Sequence, residues 1–319
     1  MKPIFALCTL AILSAFAHNF ACAKGRVFGL VGKSLDDGNF IEAWRGCDEE
    51  AKSSKDNCIL LGGKGPADPR FQSAAIDEAL KTNRFAAFAV SVTDSGTIAK
   101  TLQSAKVPII TFDSPFISKD EHLSRAYVGV NNEEFGRDLA RVAKRLRPQG
   151  GSICLMTDAN DPNLALRVRG VRKELSLNNH FPDDLRLNGE GKWTESKRCP
   201  WNSGDKIERS MDEITVTLKN IKPDVFLSVG HWPVVNPKSY RLVTGPFRED
   251  LIKKKRIMIV GVGKITPEYA ALMDEKLVHG YVSINFKEIG KKSFKLMKAA
   301  VEGKAIPALV YTANMIKIK

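Results

Sequence analysis

The most constraining feature of this 319-residue sequence is the alternation of short apolar runs with stretches of helical spacing. The runs are mostly uninterrupted, as expected for strands buried on both faces. The predicted strands cover residues 27–31, 58–61, 86–90, 107–112, 127–130, 152–156, 225–229, 257–262, 278–283 and 309–312. The predicted helices lie near residues 39–54, 71–81, 94–105, 132–146, 163–177, 204–220, 266–276 and 286–302. Repeated strand–helix alternation predicts an α/β protein with doubly wound parallel sheets.

The number of predicted strands indicates two domains, because a single open sheet rarely holds ten strands. A composition of 43% hydrophobic and 27% charged residues is that of a folded chain and excludes a disordered one. No linker rich in Pro, Gly or Ser separates two halves. We therefore expect two α/β domains joined by several close crossings of the chain.

The N-terminus predicts a secretory signal peptide over residues 1–23. Lys2 precedes an apolar run over 4–17 that is too short to span a bilayer, and Ala21-Cys22-Ala23 resembles a cleavage site. A buried N-terminal helix is the alternative, but the run has no amphipathic stripe. A lipid anchor on Cys22 is disfavoured by Asn19, since such sites want an aliphatic residue there. The sequence thus predicts export.

Four cysteines remain after cleavage, and an oxidising compartment favours two disulfides among three possible connectivities. Cys47 lies in a predicted helix and Cys58 opens the next strand, so we pair these two. Cys154 and Cys199 then form the second bond. Buried free thiols are the alternative.

The formal charge of +13 raises the question of nucleic acid, but export argues against that partner. The basic run over residues 253–256 precedes an apolar strand, and cations are favourable at a helix C-terminus. We interpret it as a solvated helix end. A basic surface could still favour anionic membranes, glycans or an acidic protein.

Motifs of catalysis are incomplete in this sequence. The run 29–34 imitates a P-loop but has Val27 where the pattern needs Gly, and the run 261–264 lacks the third dinucleotide glycine. Neither HExxH nor GxSxG is present, and the histidines are scattered. We therefore expect no enzyme, no cofactor and no metal.

Polar and aromatic residues do cluster after the predicted strands, where doubly wound sheets bind ligands. The candidate ligand-binding residues are Asp37, Asn39, Phe40, Ser91, Asp113, Asn163, Arg167, His231 and Trp232. Carboxylates and amides bind hydroxyl groups, Arg donates from a fixed fork, and an aromatic face covers a sugar ring. Each has a structural alternative: Asp37 and Asn39 as helix caps, Asp113 in a turn, Phe40 and Trp232 in the core, Arg167 in a salt bridge. Their shared location predicts a cleft for a small polar ligand.

The order of these features resembles the type I periplasmic binding proteins, the ribose- and galactose-binding group of sugar-transporter receptors. The resemblance covers the mature chain. The residues that carry it are the turn through Phe40, Val107–Asp113, Tyr127–Asn132 leading to Gly136, and Asn163–Gly170. Cys199-Pro200-Trp201 is similar to a Cys-Pro found in a subgroup of the family.

The resemblance implies two Rossmann-like lobes that close around a ligand and are joined by a hinge of three strands, with crossings near Val130, Ile284 and Thr312. The N-terminal lobe would comprise 24–130 and 285–312, and the C-terminal lobe 131–284 and 313–319. Asp37, Asn39, Phe40, Ser91 and Asp113 would face the ligand from the first lobe. Arg167 and the turn over residues 230–232 would face it from the second lobe.

Three positions depart from the pattern that the resemblance implies. Gly263 stands in place of an acid, Ile284 in place of Gln, and Ser114 in place of Arg. Since each lost hydrogen bond removes about 0.5–3 kcal/mol, the ligand need not be a standard pentose or hexose.

These features together predict a monomeric periplasmic receptor that captures a small sugar-like ligand and delivers it to an ABC permease. The alternative is a periplasmic sensor that presents its bound state to a histidine kinase or chemoreceptor. A secreted hydrolase is a third possibility, but it would need an acid, base or nucleophile that the cleft does not offer.

Overall fold

The computed structural model describes residues 25–159, 161–204 and 206–319. The predicted signal peptide, residues 1–23, lies outside these ranges. None of the helices in the described ranges has the length and the apolar content that a bilayer crossing needs.

Every predicted strand and helix overlaps an element of the structure. The strands are β1 (Val27–Val31), β2 (Asn57–Leu61), β3 (Phe85–Val90), β4 (Ile109–Phe112), β5 (Tyr127–Gly129), β6 (Gly151–Thr157), β7 (Trp193–Glu195), β8 (Trp201–Asn202), β9 (Val225–Ser228), β10 (Ile257–Val262), β11 (Gly280–Ile284), β12 (Leu309–Tyr311) and β13 (Asn314–Ile318). The α-helices are α1 (Gly38–Ser53), α2 (Pro69–Lys81), α3 (Ser95–Leu102), α4 (Asn132–Leu146), α5 (Pro162–Ser176), α6 (Ile207–Val216), α7 (Pro237–Thr244), α8 (Arg248–Lys253), α9 (Pro267–Asp274) and α10 (Phe286–Val301).

The strands form two sheets, which confirms the predicted pair of α/β lobes. The first sheet has the order β12-β5-β4-β3-β1-β2, and all of its neighbouring strands are parallel. The second has the order β13-β11-β10-β9-β6-β7, with β8 beside β6. We call each sheet with its helices the first and the second lobe. The chain passes between the sheets after β5, after β11 and after β12.

Strand β13 was not predicted, and its pairing explains why. It runs antiparallel to β11 at the edge of the second sheet, with Met315 and Ile316 exposed. An edge strand that is half solvated lacks the continuous apolar run of a buried strand. The short strands β7 and β8 and the helix α7 were missed as well.

In each lobe, two helices cross at backbone contact through a pair of glycines. A Cβ at Gly46 of α1 would strike the carbonyl of Lys287 in α10, and a Cβ at Gly290 would strike that of Ala43. In the second lobe, Gly136 of α4 and Gly170 of α5 make the same reciprocal approach. In each lobe, the two helices are therefore packed at backbone contact.

Both predicted disulfides are confirmed. Cys47 of α1 is bonded to Cys58 of β2, and Cys154 of β6 is bonded to Cys199. The basic run over 253–256 also has its predicted place, since α8 ends at Lys253 and β10 follows. Lys253 pairs with Glu249, and Arg256 pairs with Asp250.

Candidate functional site

A cavity of about 570 Å³ lies between the lobes, at the carboxyl ends of strands of both sheets. We call it the central cavity. Seven predicted site residues line it: Asp37, Asn39, Phe40, Asp113, Arg167, His231 and Trp232. The other two, Ser91 and Asn163, are not part of its lining: Ser91 bonds the lining residue Asp113, and Asn163 bonds Ser114, which in turn bonds the lining residue Lys33.

The start of α1 forms one wall of the central cavity. Asp37 caps the helix, and its Oδ1 accepts a hydrogen bond of 2.8 Å from the backbone N–H of Asn39. The Phe40 ring is 4% exposed and packs edge-on against Phe112 and Phe286. The capping and core alternatives for these residues are therefore both observed, and the same residues also line the cavity.

Asp113 follows β4 in a left-handed conformation, with φ of 59°. Its Oδ2 accepts a hydrogen bond of 2.9 Å from the hydroxyl of Ser91, and its carbonyl accepts one from the Tyr127 hydroxyl. Ser91 is fully buried, so it positions the carboxylate from behind. Burial raises the pKa of Asp113, although Lys33, the Ser91 hydrogen bond and Arg167 act in the opposite direction.

Lys33, which the sequence analysis missed, brings a cation to this carboxylate. It lies in the turn after β1, and its Nζ donates a hydrogen bond of 2.7 Å to the Ser114 hydroxyl. The same Nζ is 3.9 Å from Oδ2 of Asp113. Its position directly after a predicted strand is the sequence signal for it, although the run 29–34 resembles an incomplete P-loop.

Arg167 of α5 is held by three contacts within the second lobe. Its Nε donates to Oδ1 of Asn132 at 2.8 Å, and its Nη1 donates to the carbonyl of Val229 at 2.9 Å. Its guanidinium carbon lies 4.3 Å from the centre of the Phe135 ring, which is a cation–π contact. Burial lowers the pKa of Arg167, and Asp113 and Asp161 oppose this effect. The guanidinium is thus oriented before any ligand arrives.

The turn after β9 supplies the aromatic wall opposite α1. Trp232 is 5% exposed, and its ring stacks against the ring of His231 with an angle of 17° between the planes. Gly230 lets this indole lie close to the backbone, because a Cβ there would contact the ring. The two rings therefore form a nearly planar wall.

The two lobes touch each other around the central cavity. Asn163 of α5 donates a hydrogen bond of 3.2 Å to the Ser114 hydroxyl in the first lobe. Lys264 of the second lobe donates one of 3.1 Å to Glu42 of α1. Burial raises the pKa of Glu42, but Lys264 and Arg45 outweigh it and lower the pKa overall. The structure therefore shows the lobes in direct contact, with the cavity between them.

Comparison with known protein families agrees with this architecture. A family model described as the periplasmic binding protein domain matches residues 28–305, which is most of the chain. The protein belongs to this periplasmic binding protein family. No curated protein matches the sequence.

Solved structures of sugar-binding proteins share the fold of this family member. An ABC transporter solute-binding protein from Actinobacillus succinogenes with bound D-allose has a TM-score of 0.74 at 16% identity, covering 92% of this chain and 97% of that one. AraP, an arabinose-binding protein from Geobacillus stearothermophilus, has a TM-score of 0.73 at 15% identity, with the same coverage. GanP, a glucose-galactose binding protein from that organism, has a TM-score of 0.71 at 16% identity, again with the same coverage.

Two of the three departures from the periplasmic binding protein pattern have structural consequences. A Cβ at position 263 would collide with the side-chain amide of Asn39, so an acid there would require Asn39 to move. Ile284 places an apolar side chain in the lining. At the third position Ser114 stands in place of an Arg. The ammonium of Lys33, which donates to the Ser114 hydroxyl, supplies a cation there instead. Among the described residues, no group of three or more His, Cys, Asp or Glu could hold a metal ion.

Proposed function

We propose that this periplasmic binding protein is an exported receptor that captures a small sugar-like ligand in the central cavity. The observation that carries this proposal is the cavity itself, about 570 Å³ of space lined by polar and aromatic side chains of two touching lobes. A cavity of this size suits a small molecule. The ligand leaves it chemically unchanged.

The chemistry of the lining supports a polyhydroxylated ligand. Asp113 is an acceptor and Lys33 a donor less than 4 Å away, so the pair can bind two neighbouring hydroxyl groups. In the second lobe, Nη2 of Arg167 makes no hydrogen bond with any described residue and remains available as a donor. Phe40 and Trp232 supply the apolar walls that a sugar ring needs.

Lobe closure is the second part of the proposal. We place the lobe boundaries at 24–130 with 285–312 and at 131–284 with 313–319. A ligand that contacts both lobes binds the closed state more tightly than the open one, and this difference shifts the population. The closed monomer would then dock on an ABC permease, as expected from the transporter proteins that share its fold. Those same proteins favour delivery over the alternative of a sensor.

Export to the periplasm completes the proposal. Residues 1–23 have the pattern of a signal peptide, and the two disulfides suit an oxidising compartment. Mass spectrometry of the purified periplasmic protein should find an N-terminus at Lys24. An intact N-terminus in the cytoplasmic fraction would contradict export.

Titration calorimetry and thermal unfolding test the binding function directly. The panel is D-allose, D-galactose, D-glucose, D-arabinose, D-fucose and D-tagatose, together with polyols and sugar acids. A true ligand at 100 times its dissociation constant should stabilise the protein by about 2.7 kcal/mol. Absence of binding across the panel, or chemical conversion of a bound sugar, would overturn the proposal.

A further inference from the structure

A second cavity, of about 540 Å³, lies beside two of the crossings between the lobes. We call it the crossover cavity. Its apolar walls include Phe116, Tyr127, Leu309 and Tyr311 of the first lobe and Leu166 of the second. Leu309 is 58% exposed and Tyr311 47% exposed. The crossover cavity therefore offers apolar surface that remains in contact with water.

One mostly buried residue of this cavity has a hydrogen-bond donor that no described residue accepts and that remains open to solvent. Asn132 is 6% exposed and lines the cavity. Its Oδ1 accepts from Nε of Arg167, which fixes the orientation of the amide, since a guanidinium can only donate. Its Nδ2 makes no hydrogen bond with any residue in the described ranges. A ligand that accepts a hydrogen bond from Nδ2 would take the place of water at this donor.

Two charged residues also line the crossover cavity. Arg125 and Glu121 are exposed, and neither forms an ion pair within the described part of the chain. Exposed charges of opposite sign contribute little electrostatic free energy to ligand binding, because water and salt screen them. The Asn132 amide and the Arg125 guanidinium both offer donors to the cavity, so its lining favours a ligand with a hydrogen-bond acceptor.

We propose that the crossover cavity is a second binding site, for a small molecule with an apolar body and a hydrogen-bond-accepting head such as a carboxylate. The body would lie between the Tyr311 and Leu166 walls, and the head would face Asn132 and Arg125. This site is separate from the central cavity, because the two linings share no residue; the Asn132–Arg167 hydrogen bond lies between them. Since the walls come from both lobes, an occupant would stabilise the lobes in contact.

The test uses benzoate as the probe and benzylamine as the matched control, with binding followed by saturation-transfer NMR titration of the whole protein. Benzoate should bind with a dissociation constant of about 1 mM and raise the unfolding temperature. Benzylamine has the same ring, but its ammonium head cannot accept a hydrogen bond, so it should bind at least tenfold more weakly.

Two variants locate the probe. Ala308→Trp fills the cavity from its lining and should abolish the benzoate signal, whereas Ala305→Trp, at an exposed alanine of the same loop, should not. Arg125→Ala changes only an exposed side chain and should weaken benzoate at least threefold. Unchanged benzoate binding in Ala308→Trp or in Arg125→Ala, equal binding of benzylamine, or no benzoate binding to the wild type would each overturn the proposal.

Discussion

The two lobes are built alike but equip the central cavity differently. In each, two helices cross at a pair of glycines, and one disulfide ties an element of the lobe to its neighbour. The first lobe then contributes a carboxylate and an ammonium, Asp113 and Lys33. The second contributes a guanidinium and a flat aromatic wall, Arg167 and Trp232.

This difference shows that the sequence has two roles, building the scaffold of each lobe and choosing the side chains that contact the ligand. The helix crossings determine where the strand ends and helix N-termini lie, and they are the same in both lobes. The side chains on the turns determine what is bound, and they differ. Loops on a rigid scaffold are the usual location of binding residues. Variants of the scaffold should therefore change stability, and variants of the turns should change affinity.

The largest expected effect distinguishes the two disulfides. Cys154 and Cys199 are 45 residues apart, and Cys47 and Cys58 are 11 apart. Because closing a longer loop removes more entropy from the unfolded chain, Cys154→Ser with Cys199→Ser should cost about 4 kcal/mol, and Cys47→Ser with Cys58→Ser about 3 kcal/mol. Denaturant unfolding of both double variants measures the difference. A reversed order would show that the native packing of the thiols, and not loop length, controls stability.

The glycine crossings should be equally sensitive in both lobes. Gly136→Ala and Gly46→Ala each force a methyl group against a backbone carbonyl, so each should cost about 1–3 kcal/mol of unfolding free energy. Gly245→Ala is the matched control, since nothing lies within 4 Å of its Cβ position, and it should change stability by less than about 0.5 kcal/mol. If Gly136→Ala were as mild as this control, the reciprocal helix contact would be wrong.

Lowering the pH should destabilise the second lobe through protonation of His279. Its Nδ1 accepts from the backbone N–H of Met258, and burial lowers its pKa from 6.5 to about 4. Between these values the unfolded chain binds more protons than the folded one, so the free energy of unfolding falls as the pH falls, by an amount on the order of 2 kcal/mol. Urea unfolding at pH 7 and pH 4.5 measures this loss. His279→Gln should reduce the pH dependence, whereas replacing the exposed His122 of the first lobe should leave it unchanged.

Arg167→Ala should weaken binding of the sugar found in the panel by at least tenfold, about 1.4 kcal/mol, because a charged donor is lost. Arg169→Ala, two residues along α5, is the control and should retain wild-type affinity. Lys33→Met should have a smaller effect, since Asp113 still accepts from the ligand. Unchanged affinity in calorimetry would remove Arg167 from the site.

The sequence predicted the parts of the fold that local patterns determine. Continuous apolar runs identified the buried strands, and adjacency within one strand–helix unit identified the Cys47–Cys58 pair. Strand β13 escaped prediction because its pairing with β11 is non-local and leaves side chains on both of its faces exposed.

The candidate site was predictable only as a location. Strand ends indicated Asp113 and Arg167, but the direction of a side chain at a strand end depends on backbone geometry. Ser91 therefore lies behind Asp113, and Lys33 reaches the cavity from a turn that had suggested another motif.

The hydroxyl oxygen of Ser114 receives two donors that belong to opposite lobes, the ammonium of Lys33 and the amide of Asn163. A hydroxyl oxygen has two lone pairs, so this atom is saturated as an acceptor while the lobes touch. Parting the lobes takes away the amide, and water can then compete for the vacated lone pair. The mobility of the Lys33 side chain therefore depends on whether the lobes are in contact, because both the Lys33 ammonium and the Asn163 amide donate to the same Ser114 oxygen.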